Sequence, residues 1–152
     1  MKVRALLSVA TVVAVGAIGF GTGAGASSTP TQYFTAVQTS ATGTQTVVAA
    51  GVISANGTDT LVSHRRDTFV FPTGTLNVVH QRVSGTQTFD SRTCVFAFSE
   101  KGTYVVTGGT GAYGHALGSG NYQLNGVGQG CSNTAPPTSF ALTIMAHGPL
   151  TL

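Results

Sequence analysis

The most restrictive feature of this chain is a succession of short Val-, Thr- and aromatic-rich runs, each stopped by a cluster of Gly, Pro, Asn or Asp. Runs of that length and make-up, bounded by turn residues, specify strands rather than helices. The pattern marks runs at about 45–55, 61–71, 75–83, 93–99, 102–107, 117–124 and 139–147. Asn56-Gly57 and Pro72-Thr73-Gly74 read as tight turns, Glu100-Lys101-Gly102 as a hairpin turn, and 133–137 as a loop. Alternation puts Phe140, Leu142, Ile144 and Ala146 on one face, Cys94, Phe96 and Phe98 on another, and Leu76 with Val78 on a third. After the first 26 residues no window carries a helical apolar stripe. Seven to eight strands with short connections predict an all-β antiparallel meander. Closing it into an eight-stranded β-barrel removes the exposed edges.

The N-terminus reads differently. Lys2 and Arg4 precede an uncharged apolar run over 5–20, and Ala24-Gly25-Ala26 supplies small residues for cleavage before Ser27. This predicts a signal peptide over 1–26 and a secreted product. The apolar run is short for the roughly 20 residues of a membrane anchor and meets no basic stop. The expected organisation is the signal over 1–26, a leader with a candidate first strand over 27–44, and the barrel domain over 45–152. The whole chain carries +3 at pH 7, but two of its cations, Lys2 and Arg4, belong to the expected signal. What remains is Arg65, Arg66, Arg82, Arg92 and Lys101 against Asp59, Asp67, Asp90 and Glu100. So balanced a surface gives no footing to a nucleic-acid partner, and no membrane span is expected after removal of the signal. Cys94 and Cys131 are the only cysteines and, in an exported protein, read as a disulfide. Closing that loop is worth about 4 kcal/mol in the chain-entropy account.

The segment from Tyr104 to Leu124, YVVTGGTGAYGHALGSGNYQL, runs a strand into a glycine turn and back out as a second strand. Gly108, Gly109 and Gly111 supply the turn, and Tyr113 is placed to plug the barrel end beneath it. This segment resembles the allene oxide cyclase and dirigent protein superfamily, particularly its exported bacterial, actinobacterial-type members. The family pattern is a Thr/Val-rich strand, Gly-Gly-Ser/Thr-Gly, an aromatic residue and Gly-Ala-x-Gly. Gly108, Gly109, Thr110, Gly111, Tyr113, Ala116 and Gly118 match it, while His115 stands where Gly is usual. The stretch from Asp67 to His80 is also similar to a strand pair of the bacterial members, and the likeness spans roughly residues 46–152. The resemblance implies an eight-stranded barrel with a hydrophobic interior. Plant members cyclise allene oxides or steer radical coupling, often as trimers, without metal or organic cofactor. By that likeness the chain is expected to hold a small hydrophobic ligand, to need no cofactor, and to be open to homo-oligomerisation. No catalytic residue of the plant members is carried over by position.

The polar residues narrow the site. His80 and Arg82 alternate with Leu76 and Val78, and Asp67 alternates with Phe69 and Phe71. If the three converge in an apolar lumen, they orient a ligand or move protons. The other reading puts His80 and Arg82 at a wet barrel mouth, with Asp67 paired to an arginine. His64, His115 and His147 lack metal-ligand spacing, so no metal site is expected. Gly108-Gly109-Thr110-Gly111 has no following Lys-Ser/Thr and does not open a helix, which excludes a phosphate loop. No serine sits in Gly-x-Ser-x-Gly. Two functions therefore stand side by side. One is a ligand-binding barrel, with cyclase- or isomerase-like activity as its enzymatic form and a cavity of a few hundred Å³ in the usual ligand range. The other is a non-enzymatic extracellular structural or interaction domain with a packed lumen.

Overall fold

A computed structural model describes residues 28–132 and 134–152. The expected signal peptide lies outside the described residues. The strands are β1 (Thr31–Gln38), β2 (Gln45–Ala50), β3 (Ala55–Ser63), β4 (Arg66–Phe71), β5 (Gly74–Asp90), β6 (Val95–Gly109), β7 (Leu117–Gln129) and β8 (Ser139–Thr151). Each pairs antiparallel with the next, and β1 returns to β8 from Thr31 opposite Pro149 to Gln38 opposite Leu142. The fold is thus a closed, eight-stranded antiparallel barrel.

One end of the barrel is packed shut. Leu76, Val106 and Leu150 are fully buried there. A single 3-10 turn, Gly111–Tyr113, joins β6 to β7 and lays the Tyr113 ring edge-on against Phe71, with centroids 5.8 Å apart. The Tyr113 hydroxyl meets Thr73 Oγ1 at 2.6 Å, so the plug also ties down the β4–β5 turn. Gly108 and Gly111 have φ of 110° and 58°, which a side chain would resist. Gln32 is a buried polar residue that sequence reasoning passed over. Its Nε2 donates to the carbonyls of Tyr33, Ala50 and Ile53, and its Oε1 accepts from the Ile53 amide at 2.7 Å. One side chain thereby satisfies the backbone of the β2–β3 connection, which could not otherwise be buried cheaply.

The other end is uneven, because β5 to β8 run for 13 to 17 residues and β1 to β4 for only 6 to 9. The long strands overhang the short ones and carry the inward face of the barrel beyond its rim. Phe96, Phe98, Phe140 and Leu142 lie on that face: alternation grouped each pair separately, and the register of β6, β7 and β8 brings the two groups together. Phe98 packs over Gly126 and Phe96 over Gly128, positions where a Cβ would strike the rings at 2.2 and 2.4 Å. The Cys94–Cys131 disulfide, with its Cα atoms 4.9 Å apart, ties the start of β6 to the loop after β7 at the tip of this overhang.

Several local expectations are corrected. Asn56-Gly57 is not a turn: both residues lie in β3, and the β2–β3 connection falls at 51–54. Gly57 is needed there for space, since a Cβ would lie 2.7 Å from the Phe71 ring. The 61–71 run is divided at His64–Arg65 by the β3–β4 hairpin. The runs 93–99 and 102–107 form one strand, because Glu100 and its neighbours pair with β5 on one side and β7 on the other. Glu100-Lys101-Gly102 is therefore not a turn. A register shift in β5 between Arg82 and Ser84 lies opposite it instead. Finally, the candidate first strand within 27–44 is realised as β1, so the barrel begins at Thr31 rather than at residue 45.

Replacing Gln32 by Leu strands the Ile53 amide and carbonyl in the packed end. We expect the unfolding free energy to fall by about 2–4 kcal/mol, with an unchanged β-type circular dichroism spectrum, as measured by urea titration.

Candidate functional site

Between the packed end and the overhang the lumen changes character. Strands β3 to β7 turn polar side chains inward there: Asp59, Asp67, His80, Glu100, Tyr104 and Tyr122. They share a cavity of about 70 Å³ with an apolar remainder that includes Phe34, Phe69, Val78 and Ile144. The volume falls short of the few hundred Å³ expected for a ligand barrel, because Phe34 and Phe69 pack across the lumen with centroids 5.3 Å apart.

The geometry resolves into two pairs and one carboxyl without a partner. His80 Nε2 lies 3.2 Å from Asp67 Oδ2, with side chains 22% and 15% exposed. Burial pushes the Asp67 carboxyl above its ordinary value, and the nearby His80 opposes that rise. One level towards the mouth, the Tyr122 hydroxyl donates to Glu100 Oε1, and its ring stands edge-on to His80 with centroids 5.8 Å apart. Burial first, and the Glu100 carboxylate second, drive the Tyr122 hydroxyl well above the usual phenol value. Arg82 Nε approaches Glu100 Oε2 at 3.7 Å from the rim, where its side chain is 58% exposed. Asp59 is the carboxyl without a partner: its Oδ1 is buried and unpaired among the described residues, as is the amide Nε2 of Gln45, opposite it on β2. Burial, with the Asp67 charge added, pushes Asp59 up to about 7. Tyr104 is pushed up to about 12 by burial alone and keeps its proton across the physiological range.

The sequence trio is thus partly brought together. Asp67 and His80 converge in the cavity wall, while Arg82 stands at the mouth. The expected pairing of Asp67 with an arginine is not formed, since His80 takes that place and Arg82 turns to Glu100. Sequence reasoning missed Asp59, Glu100, Tyr104 and Tyr122. For Glu100 a signal was present: the alternation through Phe96 and Phe98 continues through Glu100 to Tyr104 once no turn is placed between them. His147 stacks on Tyr33 outside the lumen, with centroids 6.1 Å apart. Among the described residues no group of three His, Cys, Asp or Glu side chains is placed to hold a metal.

Chemically, the cavity presents a histidine held by a carboxylate, a carboxyl that is part-protonated near neutrality, and two neutral phenols. These are the components of proton transfer and of hydrogen-bonded ligand orientation. In class, the molecule is a closed β-barrel with a carboxyl–histidine–tyrosine cluster set in an apolar lumen. No family model, curated protein or solved structure matches the chain.

Asp59 gives a stability test. Its folded pKa lies above the ordinary 3.8, so the folded state holds the proton more tightly than the unfolded chain between about pH 4 and pH 7. Stability contributed by that group is therefore present below pH 4 and lost as pH rises through 7. We expect Asp59→Asn to raise the unfolding free energy at about pH 8 by roughly 2–3 kcal/mol, and to leave it nearly unchanged near pH 4. Thermal melts at the two pH values read the difference.

Proposed function

We propose that this protein is an exported ligand-binding barrel of the allene oxide cyclase and dirigent type, which holds a small, largely apolar molecule at the lumen mouth. The observation that carries the reading is the Asp59–Asp67–His80–Tyr122 cluster, set where the packed lumen opens onto a phenylalanine-lined wall. A barrel that needed only a stable core would fill those positions with apolar side chains, since buried carboxyls cost stability. Retaining three carboxyls, a histidine and two tyrosines around one small space suits a ligand with a polar end and an apolar body.

The same groups suit an isomerase- or cyclase-like proton transfer on such a ligand. His80, steadied by Asp67, accepts a proton from one side, and Asp59 returns one from the other. Binding is the core of the proposal, and catalysis is its extension. The modest enclosed volume, about 70 Å³, favours the second reading, a non-enzymatic extracellular domain in which the cluster only shapes the lumen.

Native mass spectrometry of the protein isolated from the medium of the cells that make it separates the two. We expect a retained small molecule that is released when Phe98 is replaced by Ala at the mouth. A ligand-free species under gentle ionisation, for both wild type and variant, supports the packed-lumen domain instead.

A further inference from the structure

The charge arrangement of the cluster points to the kind of polar end that it accepts. Asp59, Asp67 and Glu100 face the lumen from β3, β4 and β6. The charged or basic groups that answer them are His80 and Arg82, both on β5. His80 is engaged with Asp67, and Arg82 reaches only Glu100, from the solvent side of the rim. The remaining titratable neighbours, Tyr104 and Tyr122, bring no positive charge. The cavity therefore has one more carboxyl than it has cations; the unanswered oxygen is Asp59 Oδ1, and the unpaired Gln45 amide opposite it on β2 brings no charge.

The apolar side of the site is equally directional. Glu100, Phe98 and Phe96 occupy successive inward positions of β6, and two residues of antiparallel strand advance about 6.8 Å. Phe98 therefore stands one such step outward of Glu100, and Phe96 one step beyond. The rings of Phe96 and Phe98 are stacked at 19°, with centroids 6.3 Å apart, and Phe140 lies 6.3 Å from Phe98. The wall is continuous with the lumen because Phe98 is paired with Gly126 and Phe96 with Gly128, so no β7 side chain stands in front of the rings.

We infer that the lumen mouth takes a small amphiphilic amine, whose ammonium group pairs with Asp59 inside the barrel while its aromatic or otherwise flat apolar body lies along Phe98 and Phe96. This inference rests on the ligand-binding reading above and names the charge of the ligand's polar end. An ammonium supplies the donors that Asp59 lacks and offsets the excess of carboxyls. A carboxylate of the same shape would meet Asp59 and Asp67 as like charges. A neutral alcohol would satisfy the hydrogen bond without answering the charge.

Three probes of matched shape test it: phenylbutylamine, phenylbutanol and phenylbutyrate, titrated into the full chain by isothermal calorimetry at about pH 8. The expected result is amine binding at least about tenfold tighter than either competitor. The amine should also weaken as the pH falls to about 5 and Asp59 takes up its proton. Asp59→Asn should erase the preference for the amine, with amine binding weakened at least about tenfold. Phe98→Ala should weaken all three probes alike. Equal or tighter binding of the alcohol or carboxylate overturns the amine assignment and leaves the ligand-binding reading standing. A preference for the amine that survives in Asp59→Asn overturns the pairing with Asp59. Failure of all three probes to bind overturns the inference together with the reading beneath it.

Discussion

Everything in this molecule depends on the ladder between β1 and β8. Eight residue pairs, from Thr31 opposite Pro149 to Gln38 opposite Leu142, convert a meander into a cylinder. Without that ladder the first and last strands would present unpaired edges, and the alternate residues of each strand would have no enclosed side to occupy. With it, alternation acquires a strict meaning: one parity of each regular stretch faces the lumen and the other faces solvent. Phe34, Phe69, Val78 and Val106 form a core only because the ring is closed.

Closure at one length and overhang at another divide the lumen into three zones. At the packed end, Tyr113, Phe71 and Leu150 remove the interior from water, and Gln32 satisfies the backbone that this packing buries. In the middle zone the walls switch to Asp59, Asp67, His80, Tyr104 and Tyr122. Their cost is moderated by two partnerships, Asp67 with His80 and Tyr122 with Glu100, and concentrated on Asp59. Beyond the rim, the long strands offer phenylalanine rings on one face and water on the other. The polar zone owes its low dielectric to the two apolar zones that flank it, which is why burial raises Asp59 and Asp67 above the ordinary carboxyl value.

The barrel itself was legible from sequence because its signals are local: β-branched runs, alternating faces and the Gly-rich turn around Gly108 and Gly111. The disulfide was legible for the same reason, with only two cysteines to pair. The errors arose where a residue's neighbourhood is set by strands distant in sequence. Asn56-Gly57 has the letters of a turn, yet Gly57 is there because the Phe71 ring crosses it from another strand. Glu100-Lys101-Gly102 likewise has a turn's polarity, but β5 and β7 hold it straight. That single misreading hid Glu100 and, with it, the link from Arg82 to Tyr122. Asp67 and His80 were recoverable because one precedes and the other follows two apolar residues at its own parity, Phe69 and Phe71 for Asp67 and Leu76 and Val78 for His80. Asp59 was not, because its inward neighbours Ala55 and Gly57 leave no apolar rhythm to follow.

The unequal strand lengths have a consequence for how such a protein can diverge. A substitution in the packed zone must be answered by several others, since Gln32, Tyr113 and their partners are locked across three connections. The overhang lies outside the closed ring. Its wall is built from rings laid over glycines, and its free end is stapled by Cys94–Cys131. The face around Phe96, Phe98 and Phe140 can therefore be rewritten a residue at a time while the cylinder beneath it stays as it is. A lineage built on this plan would conserve its cylinder and diversify its porch, acquiring new specificities by mutation at the rim and not by redesign of the core.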